Sequence, residues 1–226
     1  MRIIALLLAT GVMLLGACGR DEWPTEAAPS PTSTSPSPSI TADPPTGTRV
    51  LYDGTWSLAE NGWFISTPSG FDRLSGYPHA PDAFRGQSQG LVGARVSGAL
   101  DLTPPVLWGD IAVRVELLGK RPEVGKEWED VVEVSFTTPG GRVVMNSFED
   151  FTRDFRLPAG TYRVRYSARG LDRARDAEYD DPYLAGNTLP GRHLFQCWPA
   201  EAAPDKILRG ESQTAASARK YHTGRR

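Results

Sequence analysis

Along residues 110–117 the chain alternates: Ile111, Val113, Val115 and Leu117 are apolar, with Ala112, Arg114 and Glu116 between them. Alternation of this kind places one set of side chains on a buried face and predicts a β-strand. Residues 129–137 repeat it, with Val132, Val134 and Phe136 inward and Glu133 and Ser135 outward. Residues 161–168 give the cleanest case, with Tyr162, Val164, Tyr166 and Ala168 set against Thr161, Arg163, Arg165 and Ser167. Just before it, Leu157-Pro158-Ala159-Gly160 has turn chemistry: Pro fixes φ and Gly permits positive φ. Arg192 to Trp198 is a further short apolar run, closed by Pro199. Shorter candidates are Arg49–Tyr52, Trp63–Ser66 and Leu91–Val96. Helical periodicity is scarce before residue 205. After it, Ser212 is placed to cap a short Ala-rich helix ending near Tyr221. Several short strands separated by Gly and Pro predict an all-β fold, an antiparallel β-sandwich with a short C-terminal helix. The sandwich is assigned to residues 49–205 and a basic, partly helical segment to 206–226.

The N-terminus has a different pattern. Arg2 is followed by an apolar run from Ile3 to Leu15, broken only by Thr10 and Gly11. A basic start, an apolar stretch and small residues before a cut site make a secretory signal peptide, here residues 1–17. Leu15-Gly16-Ala17-Cys18 resembles the lipobox of bacterial lipoproteins, which implies cleavage before Cys18 and acylation of its thiol. The alternative, a signal anchor, would need about 20 apolar residues to span a bilayer, and Arg20, Asp21 and Glu22 stop the run early. Residues 18–48 then form a tether. From Gly19 to Thr48 the chain holds seven Pro and eleven Ser or Thr, with Ile40 the one large aliphatic, so it has too little apolar surface to offset its ordering entropy. The expected location is the extracytoplasmic face of the cell membrane, with the bilayer as partner through the lipid anchor.

Lys+Arg 25 against Asp+Glu 27 gives a net charge of -2, which argues against a general nucleic-acid binder. The asymmetry is local: from Lys206 onward six basic residues face one acid, Glu211. Two Cys exclude a disulfide scaffold or a four-cysteine zinc site, and Cys197 stands alone once Cys18 is acylated. His79, His193 and His222 have no metal-ligand spacing. The acidic group Asp172, Asp176, Glu178, Asp180 and Asp181 is interleaved with Arg173 and Arg175 and is read as a salt-bridged loop rather than a calcium site. No cofactor is expected. Gly86-Gln87-Ser88-Gln89-Gly90 matches the nucleophile elbow of serine hydrolases, but the residues before it do not form a buried strand. Two classes therefore stand: a non-catalytic binding or inhibitory module with a protein or envelope-polymer partner, and a secreted hydrolase using Ser88. Candidate binding residues are Arg163 and Arg165, expected to project from the sheet toward carboxylates or phosphates. The competing reading pairs them across strands with Glu133 or Glu116. The tryptophans, including Trp56, Trp63, Trp108, Trp128 and Trp198, are read either as a sugar-stacking surface or as packing.

Four stretches resemble an uncharacterised family of actinobacterial proteins: Phe84-Arg85-Gly86-Gln87 with Gly90-Leu91 and Gly93-Ala94, Trp128–Phe136, Leu157–Asp172 and Leu194–Ala200. The resemblance implies a shared β-rich fold over roughly residues 84–222 and no assigned activity. Members end in a Tyr-Trp-His-like group, where this chain has Lys220-Tyr221-His222. Leu157-Pro158, Gly160 and Tyr162, followed by a strand, also resemble competence protein J, a small β-rich inhibitor of a membrane-associated nuclease. That likeness implies an interaction module rather than an enzyme.

Overall fold

The computed structural model describes residues 46–59, 62–74, 82–147, 152–180 and 188–224. The signal peptide, Cys18, nearly all of the tether, and His79 lie outside these. The strands are β1 (Thr48–Leu58), β2 (Trp63–Ser66), β3 (Val92–Gly93), β4 (Ala99–Leu102), β5 (Gly109–Leu118) and β6 (Asp130–Thr138). They continue with β7 (Gly141–Ser147), β8 (Thr152–Leu157), β9 (Gly160–Arg169), β10 (Arg192–Pro199) and β11 (Lys206–Gly210). Three helices accompany them: α1 (Pro68–Phe71), α2 (Leu171–Asp180) and α3 (Gln213–Thr223).

Two sheets result, as the alternation predicts. One is six-stranded in the order β1-β5-β10-β9-β6-β11, the other five-stranded in the order β3-β4-β2-β7-β8. The inward rows of the larger sheet, including Val113, Val115, Val132, Val134, Val164 and Phe195, share one core with Ile65, Leu100, Val143 and Met145 of the smaller. Trp63 joins the sheets, its ring edge-on to Phe195 at 5.4 Å and to Tyr166 at 6.2 Å. Neighbouring strands are antiparallel with one exception: β10 runs parallel to β5. Alternation is the same in either direction, so the exception was not readable from the pattern. The acidic group from Asp172 to Asp180 forms helix α2 where a loop was expected. It buries Leu171 and Ala174, a pair three residues apart that the charges around them obscure.

The segment after 205 is part of the fold. Lys206–Gly210 closes the larger sheet against β6, and Ser212 caps α3, its side chain accepting from Ala215 N at 3.0 Å. Two carboxylates hold the entry to that helix. Asp130 Oδ1 accepts from Glu211 N at 3.0 Å, and Asp172 accepts from Gln213 N, Thr214 N and the Thr214 hydroxyl at 2.7–2.9 Å. Burial alone would raise the Asp172 pKa, but these hydrogen bonds outweigh it and hold the carboxyl below its ordinary value.

Gly90 explains how closely α3 can approach. A Cβ there would stand 2.4 Å from the Ala218 carbonyl carbon, so only a hydrogen fits between loop and helix. Gly90→Ala is expected to force the helix outward and cost about 1–3 kcal/mol, as overpacking does. Urea unfolding measures this, and an unchanged midpoint would show that the contact is looser than it looks.

Candidate functional site

The larger sheet has an outer face, and its two halves differ. On the β9–β6 half, Arg163 and Arg165 lie opposite Ser135 and Glu133 in the antiparallel register. They point away from Tyr162, Val164 and Tyr166, as alternation requires. They are not exposed, however: Arg165 retains 1% of its accessible surface, Glu133 3% and Arg163 5%. The expectation of a projecting arginine pair is therefore corrected. Backbone that carries no strand pattern lies across this half. Arg165 Nη1 donates to the carbonyls of Pro122 and Glu123 at 2.9 and 3.0 Å, and Arg163 Nη1 donates to Ala203 O at 2.7 Å. Arg165 Nε and Nη2 both reach Glu133 Oε1, at 3.1 and 2.8 Å. Arg121 reaches the same carboxylate from the covering loop at 3.1 Å, and the Trp198 ring lies 5.4 Å from the Arg165 guanidinium carbon. Burial pushes the Arg163 pKa below its ordinary value. The cross-strand pairing with Glu133 is what forms; Glu116 belongs to a separate network.

That second network floors the other half, over β1, β5 and β10. Outward positions here are Asp53 and Thr55 of β1, Ala112, Arg114 and Glu116 of β5, and Arg192, Leu194 and Gln196 of β10. Arg114 Nε donates to Glu116 Oε1 at 2.7 Å, and its Nη1 donates to Asp53. Gln196 Nε2 donates to Glu116 Oε2 at 3.0 Å. The hydrogen bond to Glu116 leads the causes that raise the Arg114 pKa. Over this floor lies a cleft of about 480 Å³, lined by Asp53, Thr55, Arg114, Glu116, Trp128 and Arg192 among others. Its volume falls within the ordinary range for small-ligand sites. Trp128, half-buried, forms part of the wall, and its backbone is fixed by a hydrogen bond from Arg209 Nη1 to its carbonyl.

Ser88 is positioned for architecture. Turns at 82–86 precede it in place of a strand, and its hydroxyl and amide both donate to Asp205 Oδ2 at 2.8 Å. Gln89 anchors the same loop, its Oε1 accepting from Leu91 N and Val92 N at 2.8 and 2.9 Å. Among the described residues its hydroxyl is bonded to a carboxylate and to no imidazole, the partner that a nucleophile elbow uses. His222 stacks on Phe84 at 3.6 Å and pairs with Thr103 Oγ1 at 3.1 Å, fastening the end of α3. His193 and Cys197 are both in the core. Burial lowers the imidazole pKa to about 3 and raises the thiol pKa to about 12, so neither is poised for chemistry near neutrality. Among the described residues, no group of three or more His, Cys, Asp or Glu is arranged to hold a metal ion.

Of the tryptophans, Trp56, Trp63 and Trp198 are buried, Trp108 is partly exposed, and Trp128 lines the cleft. The cleft was not visible in advance because Asp53, Arg114 and Arg192 belong to different strands and meet only through the sheet register. Trp128 beside the outward positions of a strand was the one available signal.

Fold and site together define a two-sheet β-sandwich with a C-terminal helical latch and an open polar cleft on one outer face. Among solved structures, the chain is similar to the protein Crocagin biosynthetic gene J, at 20% identity and a TM-score of 0.44, over 68% of this chain and 99% of that one. It is also similar to ComJ of Bacillus subtilis, an inhibitor of the DNA-degrading activity of NucA, at 14% identity and a TM-score of 0.44, over 68% and 98%. No family model matches the chain, and no curated protein matches it. ComJ is the protein that the competence protein J resemblance names, and nothing found bears on the actinobacterial family.

Proposed function

We propose that this chain is a lipid-anchored, non-catalytic binding module that uses the cleft over β1, β5 and β10 to hold a component of the cell envelope. The observation that carries the reading is the cleft itself. Asp53, Arg114, Glu116 and Gln196 are paired with one another over β5, which is hydrogen-bonded on both sides, so they can receive a ligand with little reorganisation. The anchor rests on Leu15-Gly16-Ala17-Cys18, and the Pro/Ser/Thr-rich tether gives reach away from the bilayer. Two or three acyl chains at about 0.8 kcal/mol per buried CH₂ hold a folded domain on a membrane.

Cys18→Ala expressed in the native host tests the anchor. The variant is expected to leave the detergent-soluble membrane fraction and to lack the mass of the acyl groups; unchanged partition and size would overturn it. A serine-directed fluorophosphonate tests the non-catalytic reading. No labelling is expected, and labelling that disappears in Ser88→Ala would restore the hydrolase.

A further inference from the structure

We infer that the cleft takes an acidic oligosaccharide, a polyhydroxylated chain bearing a uronate or phosphate group. This rests on the binding-module reading and specifies its ligand.

The lining excludes other classes in turn. Arg114, Asp53 and Glu116 already neutralise one another, so the middle of the floor has no unpaired charge with which to seize an ion. These groups still present fork-shaped donors and carboxylate acceptors in a plane, the complement of vicinal hydroxyls, which donate and accept side by side. An extended peptide bound by strand addition would need free backbone groups. Those of β5 are taken on both sides, by β1 and by β10, and the free edge is that of β1 at the border of the sheet, so an added strand would lie beside the floor and not over it. A wholly apolar ligand would take water from the paired Arg114 and Glu116 and from Thr55 and give them no hydrogen bond in return. A sugar ring has a C–H face for an aromatic wall and a hydroxyl rim for the polar floor, and Trp128 supplies that wall.

The acidic group follows from the end of the cleft. Arg192 lies directly across from Arg169 in the β10–β9 ladder, with both side chains on the outer face. Like charges directly opposite destabilise a sheet. Among the described residues neither guanidinium has a carboxylate partner, whereas Arg114 and Arg165 each do. Two like charges set directly opposite each other at the end of a neutral, hydroxyl-matching floor, with no carboxylate partner among the described residues, point to one anionic substituent on an otherwise neutral chain. A polyanion would instead meet Asp53 and Glu116.

The experiment is a calorimetric titration of the full chain in detergent micelles with four probes: tetragalacturonate, maltotetraose carrying one 6-phosphate, maltotetraose and inorganic phosphate. At least one acidic oligosaccharide is expected to bind about tenfold or more tightly than maltotetraose, the margin of one charged hydrogen bond. Which one binds identifies the source as uronate or phosphate. Phosphate alone is expected not to saturate. Arg192→Glu, at an exposed position, is expected to abolish the preference for acid. Trp128→Ala is expected to remove oligosaccharide binding, and Trp128→Phe to retain most of it. No oligosaccharide binding, equal binding of acidic and neutral forms, or a preference unmoved by Arg192→Glu would each overturn the inference.

Sedimentation of the Cys18→Ala chain with purified envelopes separates the two levels of the reading. Co-sedimentation lost in Leu194→Trp and in Arg192→Glu, with no oligosaccharide bound, would remove the glycan and leave the cleft. Co-sedimentation unchanged in both variants would remove the cleft as well.

Discussion

Glu133→Ala is expected to lower the free energy of unfolding by about 3–5 kcal/mol, the range found when one partner of a buried ion pair is removed. Glu133 is the acceptor around which Arg121, Arg163 and Arg165 converge. Arg165 has no route to water, and its carbonyl contacts to Pro122 and Glu123 stabilise the guanidinium without neutralising it. Arg163 is worse placed: its Nη2 has no hydrogen-bond partner and leans on Glu133 at 3.8 Å. Removing the carboxylate leaves two buried cations facing each other across about two residues of strand, roughly 6.5–7 Å. Replacing the pair together, as Glu133→Leu with Arg165→Met, is expected to recover much of the loss, because the desolvation cost disappears with the charges. Urea unfolding of the three chains measures both effects. A loss under about 1 kcal/mol in Glu133→Ala, the scale of an exposed pair, would mean that water reaches the site.

Acidification from pH 7 to pH 4 is expected to reduce stability by on the order of 3 kcal/mol through His193 alone. The imidazole is fully enclosed, its Nδ1 2.8 Å from the Tyr166 hydroxyl and its ring 5.6 Å from Trp63. Burial lowers its pKa from 6.5 to about 3. Between those values the unfolded chain holds a proton that the folded chain refuses, so stability falls as pH falls through the window and levels off below it. His193→Gln is expected to flatten the slope between pH 6.5 and pH 4 whatever it costs at pH 7. Asp172 acts in a lower window. Its depressed pKa gives stability that is present above the ordinary carboxylate range and lost as pH drops through the folded value, so its contribution emerges only below about pH 4. Melting temperatures across pH 3–8 separate the two. A flat profile from pH 7 to pH 4.5 in the parent chain would show that His193 is reached by solvent.

The inward rows of β5, β6 and β9 were legible because one buried face imposes a period of two on sequence. What covers the outer face was not. Pro122, Glu123 and Ala203 act through backbone carbonyls, and a carbonyl leaves no trace in side-chain identity. Arg163 and Arg165 were therefore assigned the right face and the wrong environment. Helix α2 was hidden for a related reason, since its charges serve particular partners: Asp172 holds α3, and Glu178 accepts from Leu107 N and Trp108 N. The Ser88 loop matched a catalytic motif by spacing, yet its glycine serves the approach of a helix and its serine an aspartate 117 residues away. Local patterns specify periodic faces; the cleft depended on register between strands far apart in sequence.

Strand β10 lies in the interior of the larger sheet although it is the tenth of the eleven described strands in chain order. Without it, β1–β5 and β6–β9 are separate antiparallel pairs, each with an open edge and nothing between them. A chain made from its N-terminus is therefore held short of this topology until about residue 200 has emerged, and the pairing of β10 with β5, between segments some eighty residues apart, carries the loop-closure cost that slows folding. The order of strands thus sets closure of the larger sheet late: its two halves join only when the tenth described strand, β10, is in place.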